Sequence, residues 1–294
     1  MKNTSTALVV LAALFWGVSG GIGGILTSRG WDPLVASFYR GAIGLLFVLV
    51  WLALQPQGSG LKNRKLWLWS VVAGLGIAGN FSFYFISIAE GSVAVAATLM
   101  YCAPIFVFII SFILKLEKPS LLKWATVVMV ILGVGLLTEI YKIGAGEVSI
   151  LAILAGLGAG LSYATFLFGL KFAAPHGSPQ AILTIAFATM TLVLVWMSDT
   201  GQTLKVLSAP NWHLFVILGV LGAGLSFIIY VIGLNHTPPA VASIVAMVEP
   251  VTASLVGFFI LFERLYEMQL LGMGLILAAV TALSIFSDSN DSQY

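Results

Sequence analysis

A glutamate followed at once by a proline, Glu249-Pro250, stands inside an unbroken apolar stretch at 240–262. Glu249 lies nine residues into that stretch, which is about 13.5 Å of helix at 1.5 Å per residue. A hydrocarbon core is about 30 Å thick, so a helix there would hold the carboxyl near the bilayer midplane. Ionisable groups at that depth are costly and point to function: holding a substrate ammonium, exchanging a proton, or pairing with a cation. The competing reading is a structural carboxyl beside a kink, because proline removes a helix hydrogen bond and leaves carbonyls free. Arg40, seven residues into the stretch 33–54, is the second deep charge. It is a candidate to bind a substrate carboxylate or to pair with Glu249. The sequence favours the alternative, a fixed cation that snorkels or bonds helix ends.

Aromatic and amide groups supply the rest of the candidate chemistry. Trp16, Tyr101 and Tyr163 stand near the middle of three other apolar stretches, with Tyr84, Tyr230, Phe81 and Phe166 on neighbouring turns. Ring faces attract ammonium ions and stack on aromatic ligands. Ordinary packing is the simpler reading for any single ring, and two or three of the seven are expected to line a cavity. Asn80 is a mid-helix amide that needs a partner in lipid, and Ser226, Ser19, Ser82, Thr98 and Ser162 offer hydroxyls. Pro104 and Pro250 are candidate helix hinges. Ala242, Ala246, Glu249, Ala253 and Gly257 share one face at helical spacing, a small-walled stripe that suits a cavity or tight packing. The pairs Gly17/Gly21, Gly20/Gly24 and Gly156/Gly160 read as close helix approaches.

These groups need elements to position them, and composition says which. Of 294 residues, 60% are hydrophobic and 8% charged, against about 25% charged in soluble domains. So few charges cannot cover a soluble globule, which excludes a soluble enzyme and a nucleic-acid binder. A net charge of +2 names no partner, and the lone Cys102 excludes an internal disulfide or a cysteine-based zinc site. A crossing helix needs about 20 mainly apolar residues. Ten such spans run over 6–26, 33–54, 66–88, 93–114, 121–139, 149–171, 179–198, 212–234, 240–262 and 268–286. They are apolar all round rather than alternating, so they are helices and not barrel strands. The first is too long for the apolar part of a leader. Only Glu90-Gly91 separates spans 3 and 4. Loop cations divide eight (Lys2, Lys62, Arg64, Lys65, Lys115, Lys118, Lys123, Lys171) against four (Arg29, Lys142, Lys205, Arg264). This bias puts both termini in the cytoplasm.

Sliding the chain by 146 residues lays Tyr84 on Tyr230, Phe81 on Phe227, Pro104 on Pro250 and Glu117 on Glu263, with 11 identities over 74–120. Five spans per unit is odd, so the second unit enters the bilayer upside down, the construction of many secondary transporters. The expected fold is an all-α polytopic membrane protein of ten transmembrane helices, two inverted five-helix repeats at 1–142 and 143–294. Glu249 has Ala103 as its repeat mate, so any site is chemically lopsided in a pseudo-symmetric frame. Glu90 and His236, also mates, read as solvated turn residues. Glu117 and Glu263 close spans 4 and 9, each followed by a cation, Lys118 or Arg264, and helix-end electrostatics is the simple account of both.

Ten spans as five plus five, Phe15-Trp16-Gly17 in span 1, Phe38-Tyr39-Arg40 in span 2, Ala103-Pro104 followed by Glu117, and Glu249-Pro250 followed by Glu263-Arg264 together resemble the EamA family of the drug/metabolite transporter superfamily. The likeness covers essentially the whole chain and is closest to the ten-span type that includes an aromatic-amino-acid exporter. It implies a secondary carrier of the inner (cytoplasmic) membrane, with a cavity lined mainly by spans 1, 3, 4, 6, 8 and 9 and with spans 5 and 10 peripheral. Relatives in the family export amino acids or move amines, choline, sugars or other metabolites, so membership names no substrate; Glu249 and the rings of Trp16, Tyr101 and Tyr163 put export of amino acids or amines first, with import of a sugar, choline or another metabolite as the alternative. A small-molecule substrate, the lipid bilayer and protons as a coupling ion are the expected partners; no cofactor, metal or nucleic acid is expected. The competing class is a channel, a scaffold or an intramembrane serine hydrolase built on Gly17-Val18-Ser19-Gly20. A hydrolase needs a histidine base at the serine's depth, and His176, His213 and His236 all lie at span ends or in loops. Reporter fusions at Tyr294 test the orientation: activity of a cytoplasmic reporter and silence of a periplasmic one is the expected result.

Overall fold

Lipid has no water to satisfy a backbone, so an apolar stretch of this length must bond its own N–H and C=O groups as helix. The computed structural model describes residues 2–117, 119–144, 148–260 and 262–290, without the side chains of 2, 3 and 285–290. The side chains of Lys2 and Asp288, and residues Lys118, Glu147, Asp291 and Tyr294, lie outside that description. Its spans are Lys2–Ser28, Pro33–Leu54, Arg64–Ala89, Val93–Ile113, Leu121–Leu137, Ile150–Ala173, Pro179–Met197, Trp212–Leu234, Pro239–Ile260 and Glu267–Asn290, numbered 1 to 10. Among the described residues nine helices are long and apolar enough to cross a membrane, and span 5, with 17 residues, is a shorter apolar one. The connection before span 8 also holds a short helix, Thr200–Lys205, which its polar composition conceals in the sequence.

Local chemistry sets the boundaries. Span 1 ends where Gly30 takes φ +85° and Trp31 N–H donates to Leu26 C=O at 3.2 Å, the reversed turn glycine allows. Asp32 then caps span 2, its Oδ1 accepting Leu34 N–H at 2.6 Å, with Pro33 in the first turn. Asn63, Ser92, Ser120 and Ser149 cap spans 3, 4, 5 and 6 in the same way.

Packing follows the duplication. Span 3 packs most heavily on span 6, and span 1 on spans 8 and 9; span 4 lies on span 6, span 2 on span 7 and span 5 on span 10. Replacing each span by the one five places away turns this set of contacts into itself, which is what two equivalent inverted units require. The tight crossings rest on glycine. A Cβ on Gly76 would stand 2.5 Å from Phe166 N, and one on Gly169 2.7 Å from Ala73 N. Gly17 and Gly21 meet Thr252 and Val256 of span 9 and Gly156 meets Leu99 of span 4 equally closely, but a Cβ on Gly24 would meet nothing within 4 Å. Gly20 and Gly24 both border an internal cavity: a Cβ on Gly20 would reach Ala253 Cβ of span 9 at an ordinary 3.8 Å, and one on Gly24 meets open space.

Three spans depart from regular helix. Span 4 breaks at Tyr101-Cys102 and span 9 at Ala246-Met247, each just ahead of a proline, Pro104 or Pro250. A proline has no N–H to return to the residue four before it, so the interruption falls one turn upstream. Span 8 carries a wide π turn at Val220–Leu225, rich in glycine.

The two ends of the bundle are tied differently. At the periphery they match: Ser178 N–H and Gln180 Nε2 donate to Ser59 C=O (3.3 Å) and Gln55 C=O (3.0 Å) at one end. At the other end Asp32 N–H donates to Gln202 Oε1 (2.8 Å) and Tyr39 OH to Thr203 C=O (2.7 Å). At the centre they do not match. Glu117 pairs with Lys123 Nζ at 2.8 Å and also accepts Ala240 N–H at 2.8 Å, capping span 9 from the opposite repeat. This corrects the expectation of a purely local helix-end role for Glu117. Lys171 Nζ donates to Leu234 C=O (2.6 Å), Asn235 C=O (3.1 Å) and Thr237 C=O (3.3 Å) at the same end, so it is engaged rather than a free loop cation. The mate of the Glu117 cap would join Glu263 to Ala94. Among the described residues the exposed Glu263 carboxylate makes no hydrogen bond or ion pair.

The glycine crossings give a contrast in stability. Gly169→Ala should lower the melting temperature of the detergent-solubilised protein clearly, since forced overpacking costs about 1–3 kcal/mol. Gly274→Ala, where a Cβ meets nothing within 4 Å, should leave it unchanged or slightly higher through helix propensity. Scanning fluorimetry of the two variants reads both outcomes.

Candidate functional site

A cavity of about 610 Å³ runs into the bundle from the end that lacks the central ties. Thr27, Ser28, Pro33 and Val93 frame its mouth, and its walls come from spans 1, 2, 3, 4, 6, 8 and 9. Spans 5 and 10 stay outside. Span 2 takes part through Ser37 and Arg40, which adds a helix to the set that the resemblance implies.

Glu249 stands on the cavity wall in the first turn after the break of span 9. Its N–H reaches back to Ala246 C=O at 2.9 Å. Gly17 lets span 1 lie against this point: a Cβ there would stand 2.6 Å from Glu249 C=O. Among the described residues no hydrogen bond or ion pair engages the Glu249 carboxylate. It shares the cavity wall with Arg40, Tyr84, Tyr101 and Tyr163. A carboxylate held this way in an apolar cavity attracts a cation or a proton.

Arg40 lines the same cavity. Its Nε donates to Gly222 C=O in the π turn of span 8 at 2.8 Å, and its guanidinium carbon stands 5.1 Å from the centroid of the Phe81 ring. The fixed structural role favoured by sequence is thus half of the picture, since the anchored group also faces the cavity. Gly222 makes the anchor, because a Cβ there would be 2.8 Å from Arg40 Nε and 2.7 Å from Ser19 Oγ.

The aromatic candidates divide. Trp16, Tyr84, Tyr101 and Tyr163 line the cavity, with Phe81 and Phe166. Tyr101 sits in the break of span 4, as Glu249 sits beside that of span 9. Trp16 rests on Phe227 and Tyr230, at ring-centroid distances of 5.0 and 4.8 Å, and Tyr163 on Phe166 at 4.6 Å. Tyr230 and Ser226 are fully buried and do not line the cavity. They stand behind its floor, whereas the sequence reading expects them on the wall. The Tyr163 and Tyr230 hydroxyls are neighbours, with no hydrogen bond of good geometry between them. Asn80 lines the wall and donates Nδ2 to Ala159 C=O at 2.9 Å, tying span 3 to span 6. Pro104 and Pro250 do not line the cavity; they lie where the two helices break.

Several lining groups escaped the sequence reading, Ser37, Phe227 and Phe85 among them. Ser37 stands one helical turn before Arg40 and shares its face. Phe227 is the repeat mate of Phe81 and sits beside Trp16. Phe85 follows Tyr84 and carries no distinguishing signal. Ser19 Oγ is bonded to Trp16 C=O at 2.9 Å, and none of the three histidines lines the cavity, so the serine has no base beside it.

Comparison with known proteins agrees with this architecture. The model of the EamA-like transporter family matches residues 4–139 and again 150–285. An uncharacterized transporter of Bacillus subtilis, YwfM, is 24% identical over 290 residues, covering 96% of this chain and 94% of that protein. The threonine/homoserine exporter RhtA of Escherichia coli K12 is 25% identical over 212 residues, 70% of this chain and 67% of that one. A crystal structure of another protein superposes with a TM-score of 0.77 at 18% identity, covering 96% of this chain and 97% of that one, and so shares the fold. With two matches that together span nearly the whole chain, the protein belongs to the EamA-like transporter family.

Proposed function

We propose that this transporter carries a small zwitterionic or cationic metabolite, with amino acids and amines first, by alternating access through the cavity. The observation that carries the reading is the Glu249 carboxylate, which faces a cavity with aromatic walls and, among the described residues, is engaged by no protein donor. A substrate ammonium supplies the missing partner, and ring faces of Trp16, Tyr84, Tyr101 and Tyr163 stabilise the same charge. The similarity to a protein named as a threonine/homoserine exporter supports amino acids and export. With both termini in the cytoplasm, in an inner membrane, the mouth at Thr27 and Val93 opens outward and the Glu117 and Lys171 ties seal the cytoplasmic end. The exchange of access then requires release of those ties and closure of the mouth, with the two repeats meeting in the connection around Lys142. A proton is the natural competitor for the carboxylate once the substrate leaves.

Glu249→Gln tests the reading. The amide is nearly isosteric, so the melting temperature of the empty protein should change little. Ligands that bind only the folded form raise that temperature by mass action. In wild type, amino acids or amines should do so, and the variant should lose most of the shift. In vesicles, wild-type transport should depend on pH above 5, whereas the variant should be slow and insensitive to pH. A variant with normal transport and the wild-type pH profile would reduce Glu249 to a structural residue beside a kink.

A further inference from the structure

We infer that Arg40 reads a substrate carboxylate, so that Glu249 and Arg40 form the two poles of a site selective for zwitterionic amino acids with apolar side chains over the corresponding amines. The inference rests on the function proposed above and narrows its substrate class. A guanidinium has five N–H donors in a fixed planar fork. One, on Nε, is used by Gly222 C=O at 2.8 Å, and the guanidinium carbon lies over the Phe81 ring, 5.1 Å from its centroid. Among the described residues the terminal nitrogens make no hydrogen bond, and no ion pair links Arg40 to Glu249 within 4.0 Å, although both line the same cavity. Two opposite charges that line one open cavity of about 610 Å³ without pairing leave room for a ligand between them. A fork anchored at Nε presents its outer edge, the geometry that takes a carboxylate through two parallel hydrogen bonds. Ser37, one turn away on the same wall, spends its hydroxyl proton on Pro33 C=O at 2.9 Å, so the free donors on this wall are those of Arg40.

The frame supports the same conclusion. Glu249 and Arg40 come from different repeats, and at the 146-residue offset each corresponds to an alanine, Ala103 and Ala186. Neither charge is therefore required by the repeat architecture, since its mate performs the structural task without one. Beyond the two poles the walls are mainly aromatic, aliphatic or small, as at Phe81, Phe85, Ile77, Met100, Ala36 and Ala253. They offer an apolar side chain contact area and offer a third charge nothing.

The test compares ligands that differ by one pole, using thermal shift and equilibrium binding on purified protein. L-leucine carries both poles; isoamylamine lacks the carboxylate; L-leucinamide keeps the ammonium and replaces the carboxylate by a neutral amide. Wild type should bind leucine about tenfold or more tightly than either analogue, the usual scale of a charge-assisted bond. Arg40→Gln should bring all three affinities together near that of isoamylamine, and Arg40→Lys should recover part of the gap. Gly222→Ala, which forces a methyl against Arg40 Nε and leaves the guanidinium in the chain, should also narrow the gap. Glu249→Gln should weaken all three ligands. Equal wild-type affinity for leucine and isoamylamine overturns this inference while the proposed cation site stands. Failure of all three to bind wild type overturns both. An Arg40→Gln protein that melts earlier but keeps the wild-type preference for leucine makes Arg40 a structural anchor alone. The wild-type ligand series decides the matter even where a variant does not fold.

Discussion

In a bilayer every N–H and C=O must find a partner inside the protein, because the solvent offers none. Seven spans meet this demand with uninterrupted helix. The other three, spans 4, 8 and 9, interrupt the ladder, and each interruption holds or adjoins a cavity-lining residue: Tyr101 in span 4, Glu249 in span 9, and Arg40 against the π turn of span 8. The break in span 4 places Tyr101 on the wall, the break in span 9 places Glu249 there, and the π turn of span 8 turns Gly222 C=O toward Arg40 Nε. Irregular backbone at membrane depth is tolerated only where it borders a cavity or is buried in protein. The polar site and the departures from helix are thus one feature: the chain breaks its hydrogen bonding where the resulting groups have something to face.

The helices around those breaks approach through glycine. Apolar side chains gain little from leaving lipid for one another, so association depends on close van der Waals contact. Gly76 and Gly169 bring spans 3 and 6 together at backbone distance, and Gly17 and Gly21 do the same for spans 1 and 9. The polar ties at the two ends are then free to differ. Peripheral bonds, Gln180 to Gln55 at one end and Asp32 to Gln202 at the other, are matched. The central bonds of Glu117 and Lys171 occur at one end alone. The asymmetry between a sealed end and an open one is concentrated in those few groups, while the outer frame keeps its symmetry.

The sequence shows the scaffold well because hydropathy and punctuation are local signals. Asp32-Pro33, Ser92, Ser120 and Ser149 mark helix starts whatever lies around them, and even the narrow Glu90-Gly91 gap falls between spans 3 and 4. The site is less legible because facing is a property of the bundle. Tyr230 and Ser226 have the right residue types but lie behind the cavity floor. Gly20 and Gly24 share their spacing with Gly17 and Gly21, yet one pair borders the cavity and the other touches span 9. Arg40 reads as a fixed cation because its partner, Gly222 C=O, is a backbone group 182 residues away that no side-chain pattern announces. Glu117 likewise reaches Ala240 N–H across the repeat boundary.

The alanine mates of Glu249 and Arg40 bear on ancestry. A single five-span gene whose product paired with itself upside down would build the same frame, but with every side chain present twice. The first repeat alone would bring two arginines and no glutamate to the centre; the second would bring two glutamates and no arginine. Either pair of like charges in an apolar space repels. Joining two copies into one chain removes that restriction, because each position can then mutate without its twin. A dipolar centre of one acid and one base is a structure that a symmetric homodimer of either half cannot make, and selection for it gives a reason to keep the two halves fused.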